Sequence, residues 1–196
     1  MNLVIIKYNA GNIQSVLFAL ERLGVHAKVT DIPEEIKGAD KVIFPGVGEA
    51  SSAMQHLCRD GLDKVIKELK QPVLGICVGM QLLCTSSEEN NAQCMGIIPV
   101  AVKKFGETKQ KLKVPQVGWN TIFDLKSNLF DNISEQSYIY NVHSYYAEDS
   151  EYTIARCDYG ITYAAAIKKD NFYGVQFHTE KSALVGDQII RNFLAL

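Results

Sequence analysis

The sequence lacks the features of a membrane protein or a nucleic-acid binder. No uninterrupted apolar run approaches the roughly 18 residues that a membrane-spanning helix needs. The apolar start, MNLVII, has no basic segment and no small-residue cleavage site, so it predicts a first strand rather than a signal peptide. The 20 Lys and Arg residues balance 22 Asp and Glu residues without a block of like charge. We therefore expect a soluble, cytoplasmic protein that binds neither membrane nor nucleic acid and acts on a small neutral or anionic molecule or a protein partner.

The cysteines also lack the pattern of a disulfide-rich or metal-binding protein. There are five, an odd number, with no C-x-x-C pair and no Cys/His cluster at zinc spacing. We expect no metal and no cofactor. A single cysteine in a reducing compartment is usually a small buried hydrophobic residue. A catalytic role for any one of them therefore needs independent support.

Apolar strands and amphipathic helices alternate in the first half of the chain. Continuous apolar patterns predict strands at 3–9, 25–30, 40–46 and 72–77, and apolar residues at helical spacing predict helices at 12–24, 52–59 and 62–69. Residues 32–40 are predicted as a short connection. Strands that are apolar throughout and separated by helices predict a parallel sheet covered on both faces.

After about residue 97 the strand patterns become shorter and alternating. They predict strands and hairpins within 100–105, 117–123, 137–147, 152–159 and 163–178, followed by a helix at 182–194. A chain of 196 residues, 47% of them hydrophobic, is long enough for one well-buried domain. We therefore predict a single α/β domain over 1–196, with a mostly parallel central sheet, helices on both faces and antiparallel strands added in the C-terminal half.

One segment, QPVLGICVGMQLLC at 71–84, passes from a strand through a tight turn into a helix. The turn, Gly75-x-Cys77-x-Gly79, has the form of a nucleophile elbow, in which glycines avoid collisions with the neighbouring strand and helix. Such a thiol points over the carboxyl end of the sheet, where open α/β folds bind ligands, and a helix N-terminus favours its thiolate form. The turn alone is equally compatible with an incidental cysteine in a glycine-rich turn.

A nucleophilic cysteine needs a base, and the base needs an orienting group. His178 ends the strand YGVQF, and if the chain stays extended there, Glu180 projects from the same face and orients it. His143 ends another apolar strand but has no carboxylate two residues on, so it is the second choice. His26 and His56 are interpreted as surface or packing residues.

The segment FPGVGEAS at 44–51 predicts a place where backbone N–H groups turn inward. Val47–Gly48 supplies one N–H and Val78, after the nucleophile, supplies another, which matches a two-donor oxyanion hole. A phosphate-binding loop is disfavoured because neither G-x-x-x-x-G-K-[ST] nor G-x-G-x-x-G is present. The order Cys, His, Glu also differs from the α/β-hydrolases. Together the patterns predict acyl transfer through a thioester.

The motifs PGVGEA, GICVGMQLL, VGWN, VHSYY and FHTEKS, in this order over the whole chain, resemble the class I (triad-type) glutamine amidotransferases. Within them, the chain is similar to the glutaminase subunits of imidazole glycerol phosphate synthase. The resemblance implies a flavodoxin-like fold, with Cys77 as nucleophile, His178 as acid/base and Glu180 as its orienter. It places Val47, Gly48 and Val78 at the oxyanion hole, and it assigns L-glutamine binding to Gln81, Glu89, Ser144 and Tyr145.

The resemblance also implies a partner. In that family a (β/α)₈-barrel cyclase subunit forms a heterodimer with the glutaminase and uses its ammonia to make imidazole glycerol phosphate and an aminoimidazole carboxamide ribotide in histidine biosynthesis. Asn12, Trp119 and Lys181 would lie at the contact. The alternative interpretations are core packing for Trp119 and a solvated charge for Lys181.

The chain departs from the family pattern in three places. The usual D-Y-G-x-G-N reads KYNAGN at 7–12, the usual P-H-M-G-W-N reads PQVGWN at 115–120, and Thr179 replaces the proline that usually stiffens the H-P-E segment. Other classes also stay open. They are another class I glutaminase, such as one serving pyridoxal phosphate or anthranilate synthesis, a partner-independent gamma-glutamyl cysteine hydrolase, and a non-catalytic binding module.

Overall fold

The central feature of the molecule is one mixed β-sheet. The computed structural model describes residues 1–8, 11–106 and 112–196, and over these residues the chain forms thirteen strands, six α-helices and three 3₁₀ turns. The strands are β1 (Leu3–Ile6), β2 (Lys28–Thr30), β3 (Lys41–Phe44), β4 (Val73–Ile76), β5 (Ser86–Ser87), β6 (Ala92–Gln93), β7 (Ala101–Lys104), β8 (Gln116–Phe123), β9 (Ser137–His143), β10 (Tyr145–Ala147), β11 (Thr153–Asp158), β12 (Thr162–Lys169) and β13 (Phe172–Val175). The helices are α1 (Ile13–Arg22), α2 (Pro33–Lys37), α3 (Ala50–Arg59), α4 (Leu62–Glu68), α5 (Val78–Leu83) and α6 (Ala183–Ala195), and the 3₁₀ turns are Glu89–Asn91, Asn128–Phe130 and Thr179–Lys181.

Five parallel strands form the core of the sheet, in the order β2-β1-β3-β4-β13. Every residue of β1, β3, β4 and β13 is buried, which requires cover on both faces of the sheet. From β13 the sheet continues through antiparallel pairs to β12, β10 and β7, and a branch runs from β12 through β11 and β8 to β9. The predicted fold class, a parallel core extended by antiparallel strands, is confirmed.

Several predicted elements have different bounds. β1 and β2 are shorter than predicted, and Asn9 at the end of the first predicted strand lies outside the described residues. The predicted connection at 32–40 contains α2, which begins at Pro33, a position where proline's missing N–H is not needed. The predicted strand at 137–147 is interrupted at Ser144, and the hairpin of β5 and β6 around Glu89–Asn91 was not predicted.

The pairing of β4 with β13 positions the chemistry. These neighbours are parallel, with Val175 opposite Ile76, so the chain leaves both strands at the same edge of the sheet. The N–H of Cys77 donates to the carbonyl of Val175 at 2.8 Å. The residues that follow Ile76 and Val175 are thereby placed side by side.

Candidate active site

Cys77 occupies a strained turn between β4 and α5. Its φ and ψ are 54° and −113°, a conformation that costs a non-glycine residue about 1 to 3 kcal/mol. The glycines on either side are explained by close contacts. A Cβ on Gly79 would lie 2.0 Å from the carbonyl oxygen of Phe44, and one on Gly75 would lie 2.9 Å from the backbone of Gly79. The predicted collisions are confirmed, and the close packing holds the turn in place.

Gly79→Ala should therefore destabilise the protein strongly. The added methyl group would overlap a backbone oxygen that no rotamer change moves, so we expect the free energy of unfolding to fall by about 3 kcal/mol or more. Gly106→Ala is the matched control, because a Cβ there meets no heavy atom within 4 Å. Urea unfolding measures both, and equal stabilities of the two variants would contradict the packing explanation.

His178 and Glu180 form a buried pair beside the elbow. The Nδ1 atom of His178 lies 2.8 Å from Oε1 of Glu180. The predicted contact is present, but the predicted extended geometry is wrong. β13 ends at Val175, and residues Thr179–Lys181 form a 3₁₀ turn, so the carboxylate reaches the ring by a turn of the backbone.

The environment of His178 favours its imidazolium form. Burial of the ring lowers the pKa of His178. Hydrogen bonds to Cys77 and Glu180, together with the charges of these two groups, raise the pKa by a larger amount. The net pKa is raised from 6.5 to about 10. The hydrogen bond between His178 and Cys77 places a proton carrier directly beside the proposed nucleophile.

Asn12 holds the carboxylate of this pair. Its Nδ2 donates to Oε1 of Glu180 at 3.2 Å, and the residue is only 5% exposed. It stands at the N-cap of α1 but makes no side-chain cap bond, although asparagine often caps helices there. The amide of Asn12 is turned inward to Glu180, and the contact of Asn12 with a partner stays a prediction.

His143 is a packing residue rather than a second base. Its Nδ1 donates to the carbonyl of Tyr145 at 2.8 Å, and its ring packs against Phe105 and Tyr163. Burial lowers the pKa of His143 to about 4. A ring that stays neutral at pH 7 and has no carboxylate partner is a weak base.

A cavity of about 300 Å³ opens in front of the thiol. Its walls include Cys77 and His178 together with every residue predicted for the oxyanion hole and for glutamine binding, namely Val47, Gly48, Val78, Gln81, Glu89, Ser144 and Tyr145. The volume is at the small end of the range of about 300 to 1,000 Å³ for ligand pockets. It suits a single amino acid.

Two of the side chains predicted to hold the substrate, Gln81 and Glu89, are anchored by backbone groups of the protein. Nε2 of Gln81 donates to the carbonyl of Tyr145 at 3.1 Å. An oxygen of Glu89 accepts from the N–H of Ala50, the first residue of α3, at 2.6 Å. Burial raises the pKa of Glu89. Both side chains are thereby fixed before any ligand arrives.

The two predicted oxyanion donors are arranged differently from each other. The N–H of Val78 donates to the carbonyl of Gly46 at 3.3 Å, so it is engaged within the protein. Gly48 has a φ of +93°, which glycine adopts without strain. The hydroxyl of Tyr8 donates to the carbonyl of Pro45 at 2.6 Å and fastens the start of this segment. Sequence patterns had given no role to Tyr8.

Trp119 and Lys181 are both exposed, and Trp119 is 54% exposed. Core packing, the alternative interpretation of Trp119, is wrong. Trp119 is part of an apolar surface on the β8–β9 hairpin, and its ring packs edge-on against Tyr140. We define the hairpin face by its exposed apolar residues, Val117, Trp119, Tyr138 and Val142.

Two residues near the triad were not predicted. Gln176 is fully buried, with its Nε2 3.8 Å from Sγ of Cys77. The hydroxyl of Ser182 donates to the carbonyl of His178 at 2.6 Å and accepts from the N–H of Tyr140 at 3.0 Å. The available signal for Gln176 was a polar residue within the apolar segment YGVQF.

In the part of the chain that the structure describes, His, Cys, Asp and Glu side chains form no group of three able to hold a metal ion. Over the same residues, no helix combines the length and apolarity needed to cross a membrane.

The sequence and the fold both match known proteins. The family model described as "Glutamine amidotransferase class-I" matches residues 4–196. The chain is 56% identical over 196 residues to the imidazole glycerol phosphate synthase subunit HisH of Bacteroides fragilis (strain YCH46), with all of both chains covered. It is 44% identical to the HisH subunit of Pasteurella multocida (strain Pm70), covering 98% of this chain and 97% of that one.

Solved structures with the same fold are more distant in sequence. A glutamine amidotransferase superposes with a TM-score of 0.75 at 18% identity, covering 98% of this chain and 97% of that one. PurLQS from Thermotoga maritima superposes with a TM-score of 0.71 at 16% identity, covering 99% and 97% of the two chains. The full-length family match and the close relatives agree with the elbow and its buried His–Glu pair: the chain belongs to the class I glutamine amidotransferases.

Proposed function

We propose that the chain is the glutaminase subunit of an imidazole glycerol phosphate synthase of histidine biosynthesis, acting in the cytoplasm. It hydrolyses L-glutamine to glutamate and ammonia and supplies the ammonia to a cyclase subunit. The observation that carries the proposal is the buried His178–Glu180 pair beside Cys77, in a cavity of amino-acid size. The HisH relatives, which match over their full length, support the choice among class I glutaminases.

The proposed reaction begins with transfer of the Cys77 proton to His178. The thiolate attacks the side-chain carbonyl carbon of glutamine and forms a C–S bond. As the tetrahedral intermediate collapses, the C–N bond breaks and His178 gives its proton to the departing nitrogen, which leaves as ammonia. His178 then takes a proton from water, and the resulting hydroxide attacks the thioester. The C–S bond breaks with its electron pair on sulfur, which recovers the proton from His178 as glutamate is released. Glu180 keeps the ring oriented and stabilises its charge throughout.

The oxyanion hole is proposed to be the control point. Each donor to an oxyanion contributes about 3 to 4 kcal/mol. The N–H of Val78 is engaged by the carbonyl of Gly46, so a rearrangement of the Gly46 backbone would be needed to free it. The site would then be slow until the rearrangement occurs.

The partner is proposed to be a (β/α)₈-barrel cyclase that binds the hairpin face and Lys181. Exposed apolar patches with aromatic residues are typical of protein interfaces. The face lies on β9, and β9 also contacts the triad, because the N–H of His178 donates to the carbonyl of Tyr140 at 2.9 Å. A cyclase on this face would sit within one strand of the catalytic histidine. The same apolar face disfavours a partner-independent hydrolase.

Glutamate release with and without the cyclase and its ribonucleotide substrate tests the proposal. We expect the complete mixture to be much faster than the isolated chain. Full activity in the isolated chain, unchanged by the cyclase, would contradict the control by a partner.

Trp119→Ala tests the position of the partner. Truncating a central aromatic residue costs about 2 kcal/mol or more, which weakens association about 30-fold. Phe18→Ala is the matched control, since Phe18 on α1 is equally exposed at 54% but lies outside the hairpin face. Calorimetric titration with the cyclase measures both variants. Wild-type affinity for Trp119→Ala would place the contact elsewhere.

A further inference from the structure

We infer that Gln176 is a further catalytic residue, whose side-chain amide donates a hydrogen bond to the sulfur of Cys77 and stabilises its thiolate. The inference rests on the proposed role of Cys77 as the nucleophile. It adds a donor on the sulfur that is neither His178 nor part of the oxyanion hole.

The sheet puts Gln176 beside the sulfur. Cys77 and Gln176 each follow the last paired residue of neighbouring parallel strands, where Val175 stands opposite Ile76. The backbone N–H of Gln176 donates to the carbonyl of Ala165 at 2.8 Å, which fixes the main chain. Its side chain is fully buried, with Nε2 3.8 Å from Sγ of Cys77.

The orientation of the amide follows from its neighbours. The backbone carbonyl of Tyr145 only accepts hydrogen bonds, so the Gln81 atom that lies 3.1 Å from it is Nε2. That Nε2 also lies 2.9 Å from the Gln176 amide, which must present its oxygen to it. The amide nitrogen of Gln176 is left facing the sulfur. Gln81 therefore donates both to the carbonyl of Tyr145 and to the amide oxygen of Gln176, and Gln176 donates in turn to the sulfur of Cys77.

The donor favours the charged form of the sulfur. Hydrogen bonds to a charged group are stronger than those between neutral groups, so an N–H beside Sγ stabilises a thiolate more than a thiol. The opposite preference comes from the carbonyl of Val142, which accepts from the thiol at 3.9 Å and repels a negative sulfur. Gln176 offsets that repulsion. It also ties the nucleophile to Gln81, a residue of the cavity wall.

The test is the rate at which iodoacetamide alkylates Cys77, followed by mass spectrometry of the peptide that contains it, across a range of pH. At pH 7 we expect Gln176→Met to be alkylated about 10-fold more slowly than wild type, because a donor to a charged atom is lost. Gln176→Glu keeps the shape and the acceptor for Gln81 but places a carboxylate at the sulfur, so we expect about 100-fold slower alkylation. In both variants the rate should reach half its maximum at higher pH than in wild type.

Two controls separate the chemistry from folding. Gln55→Met, at an exposed position of α3, should be alkylated at Cys77 as wild type. Thermal unfolding reports whether each variant is folded. A further variant, Gln176→Asn, keeps a buried amide on a shorter side chain that no longer reaches the sulfur. We expect Cys77 to be alkylated slowly in this variant as well.

Wild-type rates and pH dependence in folded Gln176→Met and Gln176→Glu would overturn the inference. Alkylation needs neither glutamine nor the cyclase, so its outcome is independent of the proposed function. If the proposed nucleophile were wrong, Cys77→Ala would still hydrolyse glutamine while the alkylation differences persisted.

Discussion

Cys77→Ala is expected to abolish glutamate release in the presence of the cyclase and its ribonucleotide. Removing the nucleophile of a catalytic triad lowers turnover by about 10⁴-fold or more, and the other members do not compensate because they act on the sulfur. The walls that hold the substrate remain, since the bonds of Gln81 to Tyr145 and of Glu89 to Ala50 do not involve the thiol. The variant should therefore still bind glutamine. A loss of turnover with retained binding of radiolabelled glutamine is the expected pair of results.

The other cysteines provide the controls for this result. Cys58 is exposed, so Cys58→Ser should release glutamate as wild type. Cys84 is buried two turns along from the elbow, and burial raises the pKa of its thiol well above the usual range, which makes it inert. A glutamine-mimicking electrophile should label Cys77 and leave Cys84 unmodified. Glutamine turnover by Cys77→Ala at more than a hundredth of the wild-type rate would refute the assignment.

The elbow could be predicted from the sequence because its causes are local. A side chain at Gly75 or Gly79 would collide with backbone atoms a few residues from Cys77 or in the adjacent strand β3. A strand followed at once by a helix is also visible in the residue pattern. The assignment of His178 and Glu180 was also correct as a contact. The predicted extended geometry was wrong because the residue pattern does not tell where β13 ends. The backbone turns at Thr179–Lys181, so His178 and Glu180 do not lie on one extended strand.

The residues that the sequence did not reveal depend on distant strand pairing. Gln176 reaches Cys77 only because β13 lies beside β4, and Asn12 reaches Glu180 only because the start of α1 meets the turn after β13. Asn12 illustrates the difficulty, since its position favours a helix cap while its side chain serves another part of the chain. Trp119 could not be assigned to core or surface because this depends on whether a second layer covers the β8–β9 hairpin.

Glu180→Gln is expected to change both the rate and its pH dependence. The carboxylate accepts a hydrogen bond from His178 and carries the charge that raises the pKa of that imidazole, and glutamine keeps the shape but not the charge. In serine proteases the equivalent change costs about 10⁴-fold, and we expect a loss of about 100-fold or more here because a thiol ionises more readily than a hydroxyl. Asn12 should keep the substituted side chain in place through its own amide.

The sign of the pH effect follows from the role of the imidazolium as proton donor to the departing ammonia. In wild type the pKa of His178 is raised, so the form that donates the proton persists above the ordinary range for histidine, and the rate falls only at high pH. Without the charge of Glu180 the pKa of His178 drops, and the alkaline fall in rate should begin about 1 to 2 pH units lower. The α-ammonium of glutamine titrates identically with both proteins, so the difference between the two profiles belongs to the enzyme.

Profiles of glutamate release against pH, measured with the cyclase complex of each protein, check this expectation. Glu34→Gln removes an exposed carboxylate on α2 and controls for the change in net charge. An alkaline limb at the same pH in Glu180→Gln and wild type would mean that Glu180 positions the ring without stabilising its charge. Glu180 would then act only by orienting the ring of His178. Because glutamine at this position preserves that orientation, Glu180→Gln should lose little activity. A large loss of rate together with an acid-shifted limb is therefore the result that identifies Glu180 as the charge that keeps His178 protonated until ammonia leaves.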